Sequence, residues 1–210
     1  MYSVKEMFYS LQGEGAQSGR PAVFCRFAGC NLWSGREQDR SKAACNFCDT
    51  DFIGTDGEGG GKFATPEALA EAALSLWPAD YIHRAYVIFT GGEPLLQLDL
   101  ALIDAFKNSG FEVAIETNGT LPVPFGVDWI CVSPKGSSDI VVNQGQELKL
   151  VYCQQDALPE RFADLDFEHF FLQPMAGPEE QKQLTDCIKY CKSHPQWRLS
   201  LQTHKLVGIP

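Results

Sequence analysis

The segment CNLWSGREQDRSKAACNFCDTD, residues 30–51, decides how the rest of the chain is interpreted. It contains three cysteines, Cys30, Cys45 and Cys48, separated by fourteen and then by two residues. It directly follows an apolar run at 22–27 that is typical of a buried β-strand. Open α/β sheets and barrels place their chemistry in loops just past the carboxyl ends of strands. The three thiols therefore predict a functional loop.

The number of thiols bears on the kind of site. A closed structural zinc site takes four ligands, and so does a fully ligated iron–sulfur cluster. Three cysteines on a four-iron cluster would leave one iron with an open position for a small molecule. A zinc loop with its fourth ligand elsewhere, or three unrelated thiols, would fit the same spacing, and the cysteines alone leave these alternatives open.

Composition predicts one ordinary globular domain. The chain has 210 residues, of which 44% are hydrophobic and 21% charged, with a formal net charge of −10. No stripe of lysine and arginine is present, which argues against binding along a nucleic-acid backbone. The N-terminus lacks the apolar core of a signal peptide, and no run is long enough to span a membrane. We expect a cytoplasmic protein, in which eight cysteines favour metal or cluster binding over disulfides.

Strands and helices are predicted to alternate along the chain. The predicted strands are 4–9, 22–27, 85–90, 113–117, 129–133, 147–151 and 170–172, and the predicted helices are 66–74, 99–109, 158–165 and 178–193, followed by a closing strand and tail at 197–210. The glycine-dense segment 54–62 is predicted to hold no regular element. Such alternation indicates parallel βα units, and a complete eight-unit barrel needs about 250 residues. We therefore predict a single α/β domain, an incomplete (partial) TIM-type βα barrel with roughly six parallel strands.

Polar or glycine residues follow each predicted strand at its carboxyl end. They lie at 26–30, 90–93, 116–118, 133–135 and 173. Loop starts are normally polar, so any one group is weak evidence, but in a parallel barrel all five meet on one rim with the cysteine loop. Arg26 is unusual within its strand, and it either faces a site or extends to solvent.

The sequence Gly91-Gly92-Glu93-Pro94 adds a specific chemistry to this rim. Two glycines allow a ligand to approach the backbone closely. Backbone carbonyls and the Glu93 carboxylate suit the ammonium group of an amino acid.

The other cysteines receive structural interpretations. Cys25, Cys131 and Cys153 are predicted to be buried, inert thiols in strands. Cys187 and Cys191 share one face of a helix.

The three-cysteine loop after the first barrel strand, with Gly-Gly-Glu-Pro after the second, resembles the radical S-adenosylmethionine (SAM) superfamily. The usual superfamily spacing has three residues between the first two cysteines, so the fourteen here imply an insertion of eleven. Finer motifs resemble the superfamily's 7-deazapurine (queuosine) biosynthesis enzymes. These motifs are LQGEG at 11–15, CDT at 48–50, TGGEP at 90–94, ETNG at 116–119, SPK at 133–135 and QP at 173–174.

The resemblance implies a reaction. One electron from a [4Fe–4S] cluster would cleave SAM to a 5′-deoxyadenosyl radical, which takes a hydrogen from 6-carboxy-5,6,7,8-tetrahydropterin. The ring then contracts, ammonia leaves and 7-carboxy-7-deazaguanine forms. The implied cluster ligands are Cys30, Cys45 and Cys48, and Thr50 is the implied Mg2+ ligand. The implied SAM-binding residues are Gly92, Glu93, Ser133, Pro134, Lys135, Gln173, Pro174, Met175 and Ala176. The implied substrate-binding residues are Gln12, Gly13, Glu14, Arg26, Thr90, Glu116, Asn118, His204 and Pro210.

The resemblance further implies one radical SAM core domain over 1–210, with a cluster loop at 28–51 and a C-terminal tail at 197–210 that closes the site. It implies a homodimer and an electron donor such as flavodoxin or ferredoxin, with no catalytic side chain assigned because the radical does the chemistry. Two alternatives remain: a radical SAM activase of a glycyl-radical enzyme, and a non-enzymatic zinc-binding module.

Overall fold

The computed structural model describes residues 1–210, and its strands and helices alternate over most of the chain. The strands are β1 (Tyr2–Leu11), β2 (Pro21–Phe27), β3 (Gly61–Phe63), β4 (Tyr86–Gly91), β5 (Glu112–Thr117), β6 (Trp129–Val132), β7 (Gln144–Tyr152), β8 (Asp166–Pro174) and β9 (Trp197–Leu199). The helices are α1 (Pro66–Leu74), α2 (Leu100–Asn108), α3 (Glu180–Ser193) and α4 (Thr203–Val207), with 3-10 turns at Glu37–Lys42, Ala79–Arg84, Pro94–Leu96 and Pro159–Arg161. No helix is long and apolar enough to cross a bilayer.

All nine strands form one sheet in the order β3-β1-β2-β4-β5-β6-β7-β8-β9. The seven strands from β2 to β9 in this order pair in parallel, whereas β1 is antiparallel to both β2 and β3. The end strands β3 and β9 do not pair with each other, so the barrel is open. The predicted partial barrel is confirmed, and β9 adds a seventh parallel strand to the six expected.

The sequence explains why the central strands are buried. The run Tyr86–Phe89 in β4 is apolar without alternation and almost inaccessible to solvent, as is usual when helices cover a parallel sheet. Helices α1 and α2 pack together, and α2 packs on β5. The side chains of Thr65 and Asp99 cap these two helices by accepting hydrogen bonds from backbone N–H groups.

Three predictions need correction. Segment 158–165 forms only the 3-10 turn Pro159–Arg161, because its buried anchor Phe162 and the contacts of Arg161 with loop carbonyls fix an irregular path. The segment 54–62 is not wholly irregular, since its last residues enter the edge strand β3 beside β1. Cys153 is exposed rather than buried, because β7 ends one residue before it.

Candidate functional site

A cavity of about 500 Å3 lies at the carboxyl ends of the parallel strands. Its volume is within the range typical of small-molecule sites. Predicted site residues that line it are Gln12, Gly13, Glu14, Arg26, Cys45, Cys48, Thr50, Thr90, Gly92, Glu116, Asn118, Ser133, Lys135, Gln173, Pro174, Met175, Ala176, His204 and Pro210. Cys30, Glu93 and Pro134 lie outside the lining. The rim expected from the strand ends is therefore one continuous site.

The three loop thiols are gathered at one side of this cavity. Cys45 and Cys48 line it, and the neighbouring Cys45 thiol lowers the pKa of Cys48. The Cys30 sulfur interacts electrostatically with Cys45 and Cys48, and it accepts a hydrogen bond from the backbone N–H of Leu32 at 3.4 Å. No three ligating side chains converge on a single-ion position. A four-iron cluster takes its thiolates at separate corners, so this donor set fits a cluster with one uncommitted iron.

The eleven-residue insertion has a folded structure of its own. Its 3-10 turn Glu37–Lys42 carries Arg40, whose guanidinium lies over the Trp33 ring at 4.2 Å. Arg40 also donates to the backbone carbonyls of Asn46 at 3.0 Å and Cys48 at 2.9 Å. The insertion thus braces the turn that carries the second and third thiols.

Gly91 and Gly92 are required for packing of the chain against itself. A Cβ on Gly91 would collide with the backbone of Phe27, and one on Gly92 would collide with the Gly29 carbonyl and lie 2.7 Å from Cβ of Cys30. The sequence predicts that a ligand approaches these two glycines closely. In the structure the cluster loop itself occupies at least part of that space. These glycines bring the end of β4 against the first thiol.

Glu93 ties three segments together beneath the cavity lining. It is fully buried, and its carboxylate accepts hydrogen bonds from Thr117 Oγ1 at 2.7 Å, Asn118 N at 2.8 Å and Leu95 N at 3.0 Å. Burial raises its pKa, and these donors offset part of that effect. Its contacts in this structure are with the protein, and the side chain of Asn118 in turn donates to Asn31, next to the first thiol.

A buried polar network forms another part of the cavity lining. Lys149 Nζ lies 2.8 Å from Glu14 Oε2 and 2.9 Å from Glu116 Oε2, and its side chain is 5% exposed. Gln12 Nε2 donates to Glu116 Oε1 at 3.1 Å. Gln173 Nε2 donates to Glu14 Oε1 at 3.0 Å, so this predicted SAM residue turns its side chain toward the predicted substrate residues.

The ionisation of Glu14 provides a test of this network. Burial raises the pKa of Glu14, but the Lys149 ammonium and amide donors from Gln202 and Gln173 outweigh burial and hold it at about 2, below the ordinary 4.5. Its contribution to stability is therefore complete above pH 4.5 and is lost as the pH falls toward 2. We expect Glu14→Gln to lower the free energy of unfolding by about 1–3 kcal/mol near neutral pH.

The difference between the two proteins should shrink as the pH falls below 4.5, because Glu14 of the unfolded wild-type chain then becomes protonated, and near pH 2 folded Glu14 becomes neutral too. Urea unfolding across a pH series measures it. A difference that stayed constant down to the acid end would show that Glu14 has an ordinary pKa.

Arg26 faces the cavity, and one of its three guanidinium nitrogens is already paired within the protein. Its Nε donates to Glu6 Oε1 at 2.7 Å, while its two terminal nitrogens have no partner in the protein. A guanidinium presents a rigid fork that matches a carboxylate. The structure therefore places Arg26 in the cavity lining, as the first of the two interpretations predicts.

The tail, residues 197–210, lies across the loop at residues 12–15. Thr203 donates to the Gly13 carbonyl through its backbone N–H at 2.9 Å and its hydroxyl at 2.8 Å. A Cβ on Gly13 would collide with the ring of His204. Lys205 Nζ reaches Asp49 Oδ2 of the cluster loop at 2.7 Å, so the tail bridges both sides of the cavity.

Several lining residues were missed by sequence reasoning. They are Lys149, Glu6, Gln202 and Lys205. Lys149 could have been identified from the sequence. Glu147 and Lys149 alternate with leucines in the predicted strand 147–151, so two charges share one face of it. The others depend on contacts between distant segments and carried no comparable signal.

The open parallel barrel with three thiols beside its cavity defines a radical SAM enzyme. A family model described as the Radical SAM superfamily matches residues 39–209, and Cys30 lies upstream of the matched range. The 7-carboxy-7-deazaguanine synthase of Bordetella pertussis is 67% identical over 212 residues, covering 100% of this chain and 99% of the relative. That of Caulobacter vibrioides is 63% identical over 209 residues, with the same coverage.

A solved structure agrees with these relatives. The crystal structure of QueE from Escherichia coli has a TM-score of 0.73 at 29% identity and covers 97% of this chain and 94% of that one. The chain belongs to the family of 7-carboxy-7-deazaguanine synthases. As a radical SAM enzyme it uses a [4Fe–4S] cluster and SAM.

Proposed function

We propose that the enzyme is a lyase that converts 6-carboxy-5,6,7,8-tetrahydropterin to 7-carboxy-7-deazaguanine, in the 7-deazapurine (queuosine) pathway. The observation that carries this is that Gln12, Glu14 and Glu116 line the same cavity as Cys45 and Cys48, in a chain 67% identical to a named synthase. Substrate and product differ by one molecule of ammonia. The ring contraction therefore needs no net oxidant or reductant.

The cofactors would be held on the thiol side. Cys30, Cys45 and Cys48 would hold the cluster, which with SAM supplies the radical that removes a hydrogen atom from the substrate. SAM would lie along Gly92, Glu93 and the segments 133–135 and 173–176. Lys135 Nζ hydrogen-bonds to Ser133 Oγ, which keeps both side chains at the cavity lining.

The pterin would lie on the opposite side. Ionised Glu14 and Glu116 are acceptors for the paired N–H donors of its aminopyrimidinone ring. The free terminal nitrogens of Arg26 would bind its carboxylate. Further contacts are proposed for Gln12, Gly13, Thr90, Asn118, His204 and the terminal carboxylate of Pro210.

We assign to the tail, residues 197–210, the exclusion of water from the site. Its contacts with Gly13 and Asp49 support a role in closing the site over the bound pterin. Burial lowers the pKa of His204, so the imidazole beside Gly13 is neutral near pH 7 and can either donate or accept. One radical SAM core domain would thus span 1–210, with the cluster loop at 28–51 and the tail at 197–210.

We further propose Mg2+ beside Thr50, a homodimer, a cytoplasmic location and an electron donor such as flavodoxin or ferredoxin. Thr50 lines the cavity, but its neighbours Asp49 and Asp51 are paired with Lys205 and Lys5. The protein thus offers one hydroxyl, and water and the substrate carboxylate would complete the octahedron. The eight free thiols suit a reducing cytoplasm.

The proposed reaction is tested by anaerobic incubation of reconstituted protein with the pterin, SAM and a reductant. Mass spectrometry should detect a product lighter than the substrate by one ammonia, formed over many turnovers per SAM. Omitting SAM should abolish it. SAM cleavage with no pterin-derived product would overturn the proposal and favour the activase alternative.

A further inference from the structure

Lys149 is a buried cation shared by two carboxylates from different parts of the chain. It lies in β7, while Glu14 follows β1 and Glu116 is the penultimate residue of β5, and both carboxylates contact its ammonium within 2.9 Å. A buried charge costs several kcal/mol unless it is paired and hydrogen-bonded. This cation therefore has a defined position only where the two carboxylates meet.

Each carboxylate also has its second oxygen fixed. Glu14 Oε1 accepts from Gln173 at 3.0 Å and from Gln202 at 2.8 Å, and Glu116 Oε1 accepts from Gln12. Lys149 pairs with the other oxygen, Oε2, of both carboxylates. With four anchoring donors the two carboxylates can lie side by side on the cavity wall despite their mutual repulsion.

A third carboxylate lies behind this pair. Glu147 shares the inward face of β7, is 2% exposed, and accepts from Ala16 N at 3.1 Å through Oε2, while its Oε1 has no partner. Burial raises its pKa. Lys149 is therefore a buried cation among three carboxylates, those of Glu14, Glu116 and Glu147. The titratable groups facing it are Glu14, Glu116, Glu147, Cys131 and His204.

We propose that Lys149 is a positioning residue, which fixes the spacing and negative charge of Glu14 and Glu116 so that they accept the aminopyrimidinone N–H groups of the substrate. This rests on the proposed pterin reaction. Lys149 acts through the two carboxylates and has both of them as its direct partners in the protein. Burial lowers the pKa of Lys149, but the surrounding acidic groups outweigh it and raise that pKa well above its ordinary value, so the cation persists across the working range.

Steady-state kinetics of reconstituted Lys149→Met should separate substrate binding from cofactor binding. We expect the KM for the pterin to rise by roughly 30-fold or more, because truncating one partner of a buried charge pair is costly. The KM for SAM and the iron content should stay within about twofold of wild type. The acid limb of kcat/KM for the pterin should move to higher pH, since without the cation burial raises the pKa of Glu14.

A double-mutant cycle with Glu14→Gln distinguishes loss of the Lys149–Glu14 interaction from a general folding defect in Lys149→Met. If Lys149 acts through Glu14, the double variant should bind the pterin little worse than the weaker single variant, rather than with the product of both defects. Lys189→Met, an exposed lysine of α3, is the matched control and should behave as wild type.

The outcomes distinguish the two proposals. An active wild type whose Lys149→Met variant keeps its pterin KM and pH profile would overturn the role of Lys149 alone. Multiplying defects in the cycle would also overturn it. A wild type that forms no deazapurine would overturn the proposed function and, with it, this inference.

Discussion

Cys45→Ala is expected to abolish cluster binding and turnover together. Cys45 is 4% exposed and lines the cavity together with Cys48. Removing one of three thiolates leaves two corners of a four-iron cluster with protein ligands, which is too few to retain it. Anaerobically reconstituted wild type should be brown and contain about four irons per chain, and the variant should be close to colourless.

Cys191→Ala provides the matched control, since this thiol lies in α3 outside the cavity lining. It should keep its iron and its activity. Full iron content in Cys45→Ala would remove Cys45 from the ligand set. Stoichiometric zinc in colourless wild-type protein would contradict the cluster assignment as a whole.

Arg26→Ala is expected to keep its cluster and lose pterin affinity. A buried guanidinium–carboxylate pair lost on one side costs about 2–5 kcal/mol, or about 30- to 5,000-fold in Kd. Titration of the pterin by calorimetry or by its absorbance, on protein with measured iron content, determines the loss. SAM affinity should stay near the wild-type value, because SAM is assigned to other segments.

Glu6→Gln tests whether the loss of pterin affinity in Arg26→Ala comes from lost contacts with the substrate or from breaking the Arg26–Glu6 pair. It weakens the 2.7 Å contact with Arg26 Nε but leaves the guanidinium and its free nitrogens in place. We expect a change in pterin Kd of less than about tenfold, as for a partly exposed pair. Equal losses in both variants would show that Arg26 serves the fold rather than the substrate.

The site was predictable where its residues stand at strand ends. Parallel strands bring their carboxyl ends to one rim, so Arg26, Thr90, Glu116 and Gln173 could be placed together from the hydrophobic pattern alone. The open barrel followed from the same alternation and from a length too short for eight units. The parallel pairing of β9 with β8 was not predictable, because three residues carry little periodicity.

Partners within the site were not predictable. Lys149 meets Glu14 because β7 and the loop after β1 converge in space, and no local pattern encodes that convergence. The glycines at the end of β4 predict that a ligand approaches the backbone closely. In the structure the backbone of the cluster loop makes that close approach. Segment 158–165 reads as helical by composition, but anchoring of Phe162 and Arg161 by tertiary contacts overrides that propensity.

The contact of Gly13 with Thr203 spans 190 residues, which sets an order of events during synthesis. At about 5–20 residues per second, the ribosome releases the first partner roughly 10–40 s before the second. For most of that interval, once Cys48 has been added, the three thiols have been made while the tail at 197–210 has not. The nascent chain therefore passes through a period in which its sulfur ligands are open to oxygen, and also open to delivery of iron and sulfide.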